Sequence, residues 1–358
     1  MPYTLVQDPA HSATGLRLVA HEAATFRPSH SASADNEDQV HVRFLASPIN
    51  RVDLMLLAGR YPLTPKYTQA GQPIPGFDGL GLGTWRREAV VPSSALVKLP
   101  PGTPPLGAAL LRSGALIAWL LLETVRPLTR GDCVIMSAGT SSVAHFLVQL
   151  ARPRGVDVVL VVRDRDPDKL AGVRSKLLAL GAAAVLAEAE LAAAAGGGTN
   201  ISLLPSSTTK QPVLALDCVY GRVGQLLLDC LAPKGTFSLV GLLAGPEATI
   251  TVGTEHLFTK QLTFKPFRSS EVLSTMGDAK VDELVGHVTG LLAQGSLEIP
   301  DVTVVSWQDD TESGLEKRLL DTVEKAKRDE VGTGKIVWDF GNAMDKRKSA
   351  LLEQPSIG

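Results

Sequence analysis

Cys133-Val134-Ile135-Met136-Ser137-Ala138-Gly139-Thr140-Ser141-Ser142-Val143-Ala144-His145 is the stretch that decides the fold. Its first four residues form an apolar run with the length and β propensity of a buried strand. A turn of small residues follows, and from Val143 to Arg152 the apolar residues return at helical spacing. Strand, tight turn and helix open a dinucleotide-binding unit, in which N–H groups at the helix start face a pyrophosphate. The turn holds one glycine, Gly139, with Ser142 and Ala144 where further glycines would let the backbone approach a phosphate. The residues alone leave two readings open: a pyrophosphate turn, or an ordinary strand-to-helix turn capped by Ser and Thr.

The pattern continues downstream. Val156–Val162 is a strand of strong β propensity, and Asp168–Leu180 is a helix stopped by Gly181. Ala183–Leu186 is a third strand candidate. Val213–Val219, a helix to Leu231, and Gly235–Gly241 repeat the alternation. Such alternation predicts an α/β fold, a Rossmann-type doubly wound parallel sheet covered on both faces. At the tip of the Val-rich strand stands Arg163-Asp164-Arg165-Asp166. An acidic residue there would hold a ribose 2′-hydroxyl, whereas arginine accommodates a 2′-phosphate and so favours NADPH. The competing reading is a solvated charge run with Asp164 or Asp166 as the next N-cap and Pro167 in the first helical turn. Ala187–Asn200 is Ala-rich and ends in Gly196-Gly197-Gly198; with Ser202–Lys210 it reads as a flexible insertion.

Residues 1–110 differ: Pro and Gly are frequent, with short β-like runs at His41–Ala46 and Thr84–Val91 and a polar loop at Ser29–Asp38. Helices are expected around Val281–Leu292 and Glu312–Lys327, a last strand at Lys335–Trp338, and a charged tail at Ala343–Gly358. The 358 residues carry 35 Lys+Arg against 37 Asp+Glu, a formal net charge of −2. That balance provides no global positive field for nucleic acid. Cys133, Cys218 and Cys230 are far apart and form no CxxC pair, which argues against a disulfide framework and for a reducing compartment. No metal site is expected: HExxH is absent, and the first region holds no cysteine. No uninterrupted apolar run reaches the length of a membrane span. Met1–Arg17 is neither an apolar signal peptide nor an Arg/Ser-rich presequence. Gly59-Arg60-Tyr61-Pro62 places a tyrosine in a loop, where its hydroxyl could serve a developing enolate or simply pack.

Four blocks, in this order, resemble the mitochondrial trans-2-enoyl thioester reductases, zinc-free members of the medium-chain dehydrogenase/reductase superfamily. They are Ser47-Pro48-Ile49-Asn50-Arg51-Val52-Asp53, Gly59-Arg60-Tyr61, Gly81-Leu82-Gly83-Thr84-Trp85-Arg86 and Val161-Val162-Arg163-Asp164-Arg165. The resemblance implies a truncated GroES-like mainly-β domain at 1–110, shortened after Gly79, and a Rossmann-type domain at 111–260. It further implies a return to the catalytic domain at 261–342, leaving 343–358 as the tail. The implied activity is NADPH-dependent reduction of an enoyl-CoA or enoyl-acyl-carrier-protein thioester in mitochondrial fatty acid synthesis. Hydride goes to the β-carbon, and the enolate is then protonated at the α-carbon.

By the same resemblance, Tyr61 is the catalytic tyrosine and Arg163 and Arg165 bind the 2′-phosphate. Ser141, Ser142, Val143, Ala144, Cys218 and Gly241 border the cofactor, and Asn50, Trp85 and Phe267 line the substrate pocket. The implied partner is a second copy, paired edge to edge through Ser238–Gly241 followed by Ala248–Val252. Departures keep other readings open. The family's Asn-Pro-x-Thr stretch is here Gly114-Ala115-Leu116-Ile117, and its Gly-Phe-Trp is Pro266-Phe267-Arg268. One alternative is an inactive subunit or scaffold of a larger mitochondrial complex. The other is an NADPH-dependent quinone or enone reductase; without the family resemblance the compartment would be cytoplasmic.

Overall fold

The computed structural model describes residues 2–22, 39–61, 67–76, 83–195, 211–308, 311–328 and 334–341. The expectations for the loop 29–38, for 196–210 and for the tail 343–358 lie outside these residues. The chain divides into two units, 113–300 and 1–112 with 301–358.

In the unit 113–300, helix α1 (Leu116–Thr124) precedes β1 (Cys133–Met136), α2 (Ser142–Ala151), β2 (Asp157–Val162), α3 (Pro167–Leu180) and β3 (Ala184–Ala187). There follow α4 (Glu188–Ala195), β4 (Leu214–Asp217), α5 (Gly221–Asp229), β5 (Thr236–Leu239), β6 (Thr263–Pro266), α6 (Ser269–Met276) and α7 (Asp278–Ala293). The sheet order is β3-β2-β1-β4-β5-β6, and every neighbouring pair is parallel. Helices cover the sheet, so its strands read as continuous apolar runs: all of β1, all of β4 and five residues of β2 are buried. Leu191, Leu227, Leu228 and Phe237 pack with Ile135, Val159 and Ala215 into one core. Local chemistry sets the helix ends. Asp166 accepts the Lys169 N–H at 3.0 Å with Pro167 at the first position of α3, and Gly181 closes that helix at φ 117°.

Three expectations need correction here. Ala187–Ala195 is not a flexible insertion: it forms the end of β3 and then α4, with Leu191 fully buried. Ala is the strongest helix former, so a low-complexity Ala run needs only one apolar anchor to dock. The sheet edge is not Ala248–Val252, which forms no strand, but β6, Thr-Phe-Lys-Pro, whose four residues are all exposed. The return to the first unit falls at Asp301 rather than at 261, because β6 extends this sheet while α6 and α7 pack on α1. The helical run Pro105–Thr124 is long and apolar enough to cross a membrane by length and composition. Leu110, Ala118, Leu120 and Leu121 along it are nonetheless almost wholly enclosed in protein.

The unit 1–112 with 301–358 is built of small sheets. Tyr3–Gln7 pairs antiparallel with Leu16–Ala20, and Gln39–Arg43 with Glu88–Pro92. Val302–Ser306, Lys335–Asp339 and Ala46–Pro48 form a three-stranded sheet. Trp85 and Trp307 both meet Trp338 edge-on, at ring-centroid distances of 5.8 and 5.5 Å, with Phe340 4.7 Å from Trp307. Edge-to-face rings of this kind add about 0.5–1.5 kcal/mol per pair beyond area burial. Leu5, Leu16 and Leu319 complete the cluster. Trp85, expected in the substrate pocket, therefore belongs to this core, with no surface exposed.

Candidate functional site

β1 and β4 lie side by side at the centre of the sheet, with β2 and β3 on one flank and β5 and β6 on the other. The chain reverses its direction of winding between them, and the crevice outside the carboxyl ends of these two strands is where such sheets bind ligands.

The turn after β1 is shaped by close backbone approach. Gly139 N–H donates to the Val161 carbonyl at 2.8 Å, and a Cβ on Gly139 would lie 2.9 Å from the Leu160 Cβ. Ala138 takes φ 51°, a conformation more natural to glycine. Ser141 is the N-cap of α2, and its hydroxyl accepts the Ala144 N–H at 3.2 Å. The N–H groups of Ser142 and Val143, the first two of the helix, have no intrahelical acceptor. Ser142 and Ala144 are both buried. Their side chains are 3% and 0% exposed, so each Cβ faces the protein rather than a phosphate, and the Ala144 N–H is already taken. Gly114 is explained by the same packing: a Cβ there would sit 2.8 Å from the Phe146 ring and 3.3 Å from the Ser142 Cβ. A polar side chain at 114 has no room.

At the tip of β2, both acids of Arg163-Asp164-Arg165-Asp166 meet helix starts. Asp166 caps α3, and Asp164 Oδ1 accepts the Ala189 N–H of α4 at 3.0 Å. Both carboxylates are thus committed to helix N-termini. Arg163 is exposed, and Arg165 is half-buried with Nη1 donating to the Arg163 carbonyl at 2.9 Å. The strand tip presents cations, not an acid for a ribose hydroxyl.

The resemblance sets Asp217-Cys218-Val219 at a strand end that borders the cofactor, without giving the Asp217 carboxyl a task. Asp217, fully buried at the end of β4, accepts from Ser137 Oγ at 2.7 Å, from Val219 N–H at 2.9 Å and from Tyr220 N–H at 3.1 Å. Ser137 Oγ in turn accepts the Cys218 N–H at 2.8 Å. The carboxyl therefore ties the ends of β1 and β4 together at the reversal point. Burial pushes its pKa up, and the hydrogen bonds from Ser137, Val219 and Tyr220 oppose that rise. The signal in the sequence was a lone acid ending the apolar run Leu214-Ala215-Leu216. Tyr220 sits at φ 72°, ψ −171°, a region that is nearly glycine-only and costs on the order of 1–3 kcal/mol. The Asp217 carboxylate, bonded to the Tyr220 N–H, holds it there.

The other expected residues are distributed as follows. The Cys218 thiol is pushed up to about 12 by burial and by Asp217, so it stays protonated. Gly241 approaches the Cys218 carbonyl so closely that a Cβ would lie 3.0 Å from it. Phe267 follows β6 and is 7% exposed, with its N–H on the Leu239 carbonyl. In the other unit, Asn50 is the buried N-cap of the helix Arg51–Leu57, and its N–H donates to Asp53 Oδ2 at 2.7 Å. Tyr61 is half-buried just beyond that helix, where Arg60 N–H returns to the Met55 carbonyl at 2.9 Å. Among the described residues no group of three His, Cys, Asp or Glu side chains could hold a metal ion.

No family model matches the chain. It is 32% identical over 298 residues to the mitochondrial enoyl-acyl-carrier-protein reductase of Mus musculus, covering 75% of each chain. A solved complex of the protein Etr1p with NADP and crotonyl-CoA superposes with a TM-score of 0.75 at 20% identity, over 95% of this chain and 99% of that one. The mitochondrial 2-enoyl thioester reductase heterodimer of Candida tropicalis gives 0.74 at 22% identity, with coverage of 95% and 99%.

Proposed function

The chain belongs to the mitochondrial enoyl-acyl-carrier-protein reductase family, and from that membership we propose that it reduces trans-2-enoyl thioesters with NADPH as reductant. One observation carries the choice of cofactor: Asp164 and Asp166 are bound to helix ends, so Arg163 and Arg165 define the charge at the tip of β2. A 2′-phosphate fits that charge, and a bare ribose diol does not. The turn after β1 fits a pyrophosphate, since Gly139 keeps the backbone low and the Ser142 and Val143 N–H groups open the helix.

When bound, NADPH supplies hydride to the β-carbon, which conjugation with the thioester carbonyl makes electrophilic. The remaining work is done by this chain. Ser142 and Val143 orient the pyrophosphate, and Gly241 keeps the end of β5 free of a side chain against Cys218. Tyr61 donates its phenolic proton toward the enolate, which collapses by protonation at the α-carbon. Phenol is a suitable donor because its O–H hydrogen-bonds to an oxyanion.

A second copy pairs along β6, whose outer edge has no partner strand among the described residues. Phe258 and Leu257, 83% and 57% exposed, lie shortly before it in sequence and support that surface. Relatives named as mitochondrial support the same compartment for this protein. The cofactor assignment is tested by titrating the full chain with NADPH and NADH, following nucleotide fluorescence. Saturable NADPH binding, at least about tenfold tighter than NADH, is expected from charge-assisted hydrogen bonds to the 2′-phosphate. Equal affinities would remove the arginine argument, and absence of NADPH binding at high micromolar concentration would remove the reductase.

A further inference from the structure

The connection that leaves β4 turns sharply into α5 through Tyr220 at φ 72° and Gly221 at φ 61°. Glycine is the natural occupant of both places, yet the first carries an aromatic ring. Its N–H is held at 3.1 Å by each oxygen of the Asp217 carboxylate. The loop after β5 grips the same turn from the other side. Leu243 N–H donates to the Cys218 carbonyl at 3.1 Å, and Ala244 N–H to the Val219 carbonyl at 2.9 Å. A bulky residue fixed in a strained conformation at the carboxyl end of a central strand is the kind of outlier that accompanies ligand binding.

Packing sets Tyr220 on the β2 side of the crevice. It packs against the core that includes Val161 of β2, Leu191 of α4 and Leu227 of α5. The helices α4 and α5 pack together, and the first turn of α4 is fastened to the tip of β2 through Asp164 and the Ala189 N–H. Tyr220 immediately precedes α5, is half-buried, and among the described residues its hydroxyl makes no hydrogen bond. The other large aromatic side chains of the unit are engaged elsewhere. Phe146 and Phe237 are enclosed in protein, at 0% and 2% exposure. Trp119 is taken by Arg154, 4.6 Å from its ring, and by the His287 ring at 4.5 Å. Phe258, Phe264 and Phe267 lie on or near β6, at the opposite edge of the sheet.

The chemistry of a 2′-phosphorylated nucleotide then limits where its base can lie. With the phosphate at Arg163 and Arg165, the base is joined to the ribose carbon next to the one that bears it. The base is therefore confined to the surroundings of the β2 tip, where a purine gains most from a flat apolar surface on which to stack. Resting on the cofactor assignment above, we propose that Tyr220 is the stacking platform for the adenine of the dinucleotide, a binding residue that works through its ring and not its hydroxyl. The Asp217 carboxylate is a positioning group for it, because its bonds to the Tyr220 N–H hold the backbone that presents the ring.

The test titrates the full chain calorimetrically with 2′,5′-ADP and with ribose 2,5-bisphosphate, which carries the same phosphates without the base. The variants are Tyr220→Leu, which keeps an apolar side chain for packing, and Tyr220→Phe, which keeps the ring. Tyr220→Leu is expected to weaken 2′,5′-ADP about tenfold, the size of one stacked base, and to leave ribose 2,5-bisphosphate within about twofold. Tyr220→Phe is expected to bind both ligands within about twofold of the parent. Unchanged 2′,5′-ADP binding in Tyr220→Leu would overturn the proposal while leaving the reductase intact. An equal loss of both ligands would do the same by making the role structural, and so would a loss in Tyr220→Phe as large as in Tyr220→Leu. If the unmodified chain binds neither 2′,5′-ADP nor NADPH, the cofactor assignment fails together with it.

Discussion

Tyr61→Phe is expected to lower turnover of crotonyl-CoA about a hundredfold or more, the usual contribution of a positioned general acid. The NADPH dissociation constant should not move, since the groups assigned to that nucleotide lie on 113–300 and Tyr61 on the other unit. The substitution removes one oxygen and keeps the ring, so packing around this half-buried side chain is retained. Steady-state kinetics and nucleotide titration on the same preparation separate the two quantities. Unchanged turnover would remove Tyr61 as proton donor. A matching loss of NADPH affinity would make its role structural.

Gly224→Ala has a sign that helix propensity alone gets wrong. Gly224 lies inside α5, where Ala normally gains about 1 kcal/mol over Gly. A Cβ at this position would lie 2.3 Å from Asp217 Oδ2. That oxygen cannot withdraw freely, because the carboxyl is buried and bonded to Ser137, Val219 and Tyr220. Displacing it leaves buried donors unsatisfied and the strained Tyr220 unheld. The variant is expected to lose about 2–4 kcal/mol of unfolding free energy in urea, the range for overpacking combined with broken buried hydrogen bonds. Nucleotide binding should weaken in parallel, since the same carboxyl ties the ends of β1 and β4. A variant more stable than the parent would show that the Asp217 cluster yields easily.

Much of the sheet was legible because burial on both faces leaves a plain signature. Cys133–Met136, Asp157–Val162 and Leu214–Asp217 are apolar runs, and each forms the expected strand. β6 was not legible: Thr263-Phe264-Lys265-Pro266 has neither an apolar run nor alternation, and it is a strand only because β5 offers an edge. α4 was hidden because its Ala-rich composition looks the same whether it docks or not; the burial of Leu191 decides. The strand-tip arginines could be read from sequence, but not which charges remain available there. That depends on Ala189, whose N–H takes Asp164 out of the count. Trp85 was misplaced for a similar reason, since its partners Trp307 and Trp338 lie far along the chain. The Asp217 cluster depends on Ser137, 80 residues away, and local pattern carries no trace of that pairing.

The central claim is that this chain still performs hydride reduction of an enoyl thioester, despite its altered turn and the glycine at 114. The most direct measurement mixes purified protein, NADPH and crotonyl-CoA, follows nucleotide absorbance, and identifies the acyl product by mass. The account predicts catalytic consumption of NADPH with an equal amount of butyryl-CoA formed. NADPH bound but not consumed, with crotonyl-CoA recovered unchanged, would contradict it.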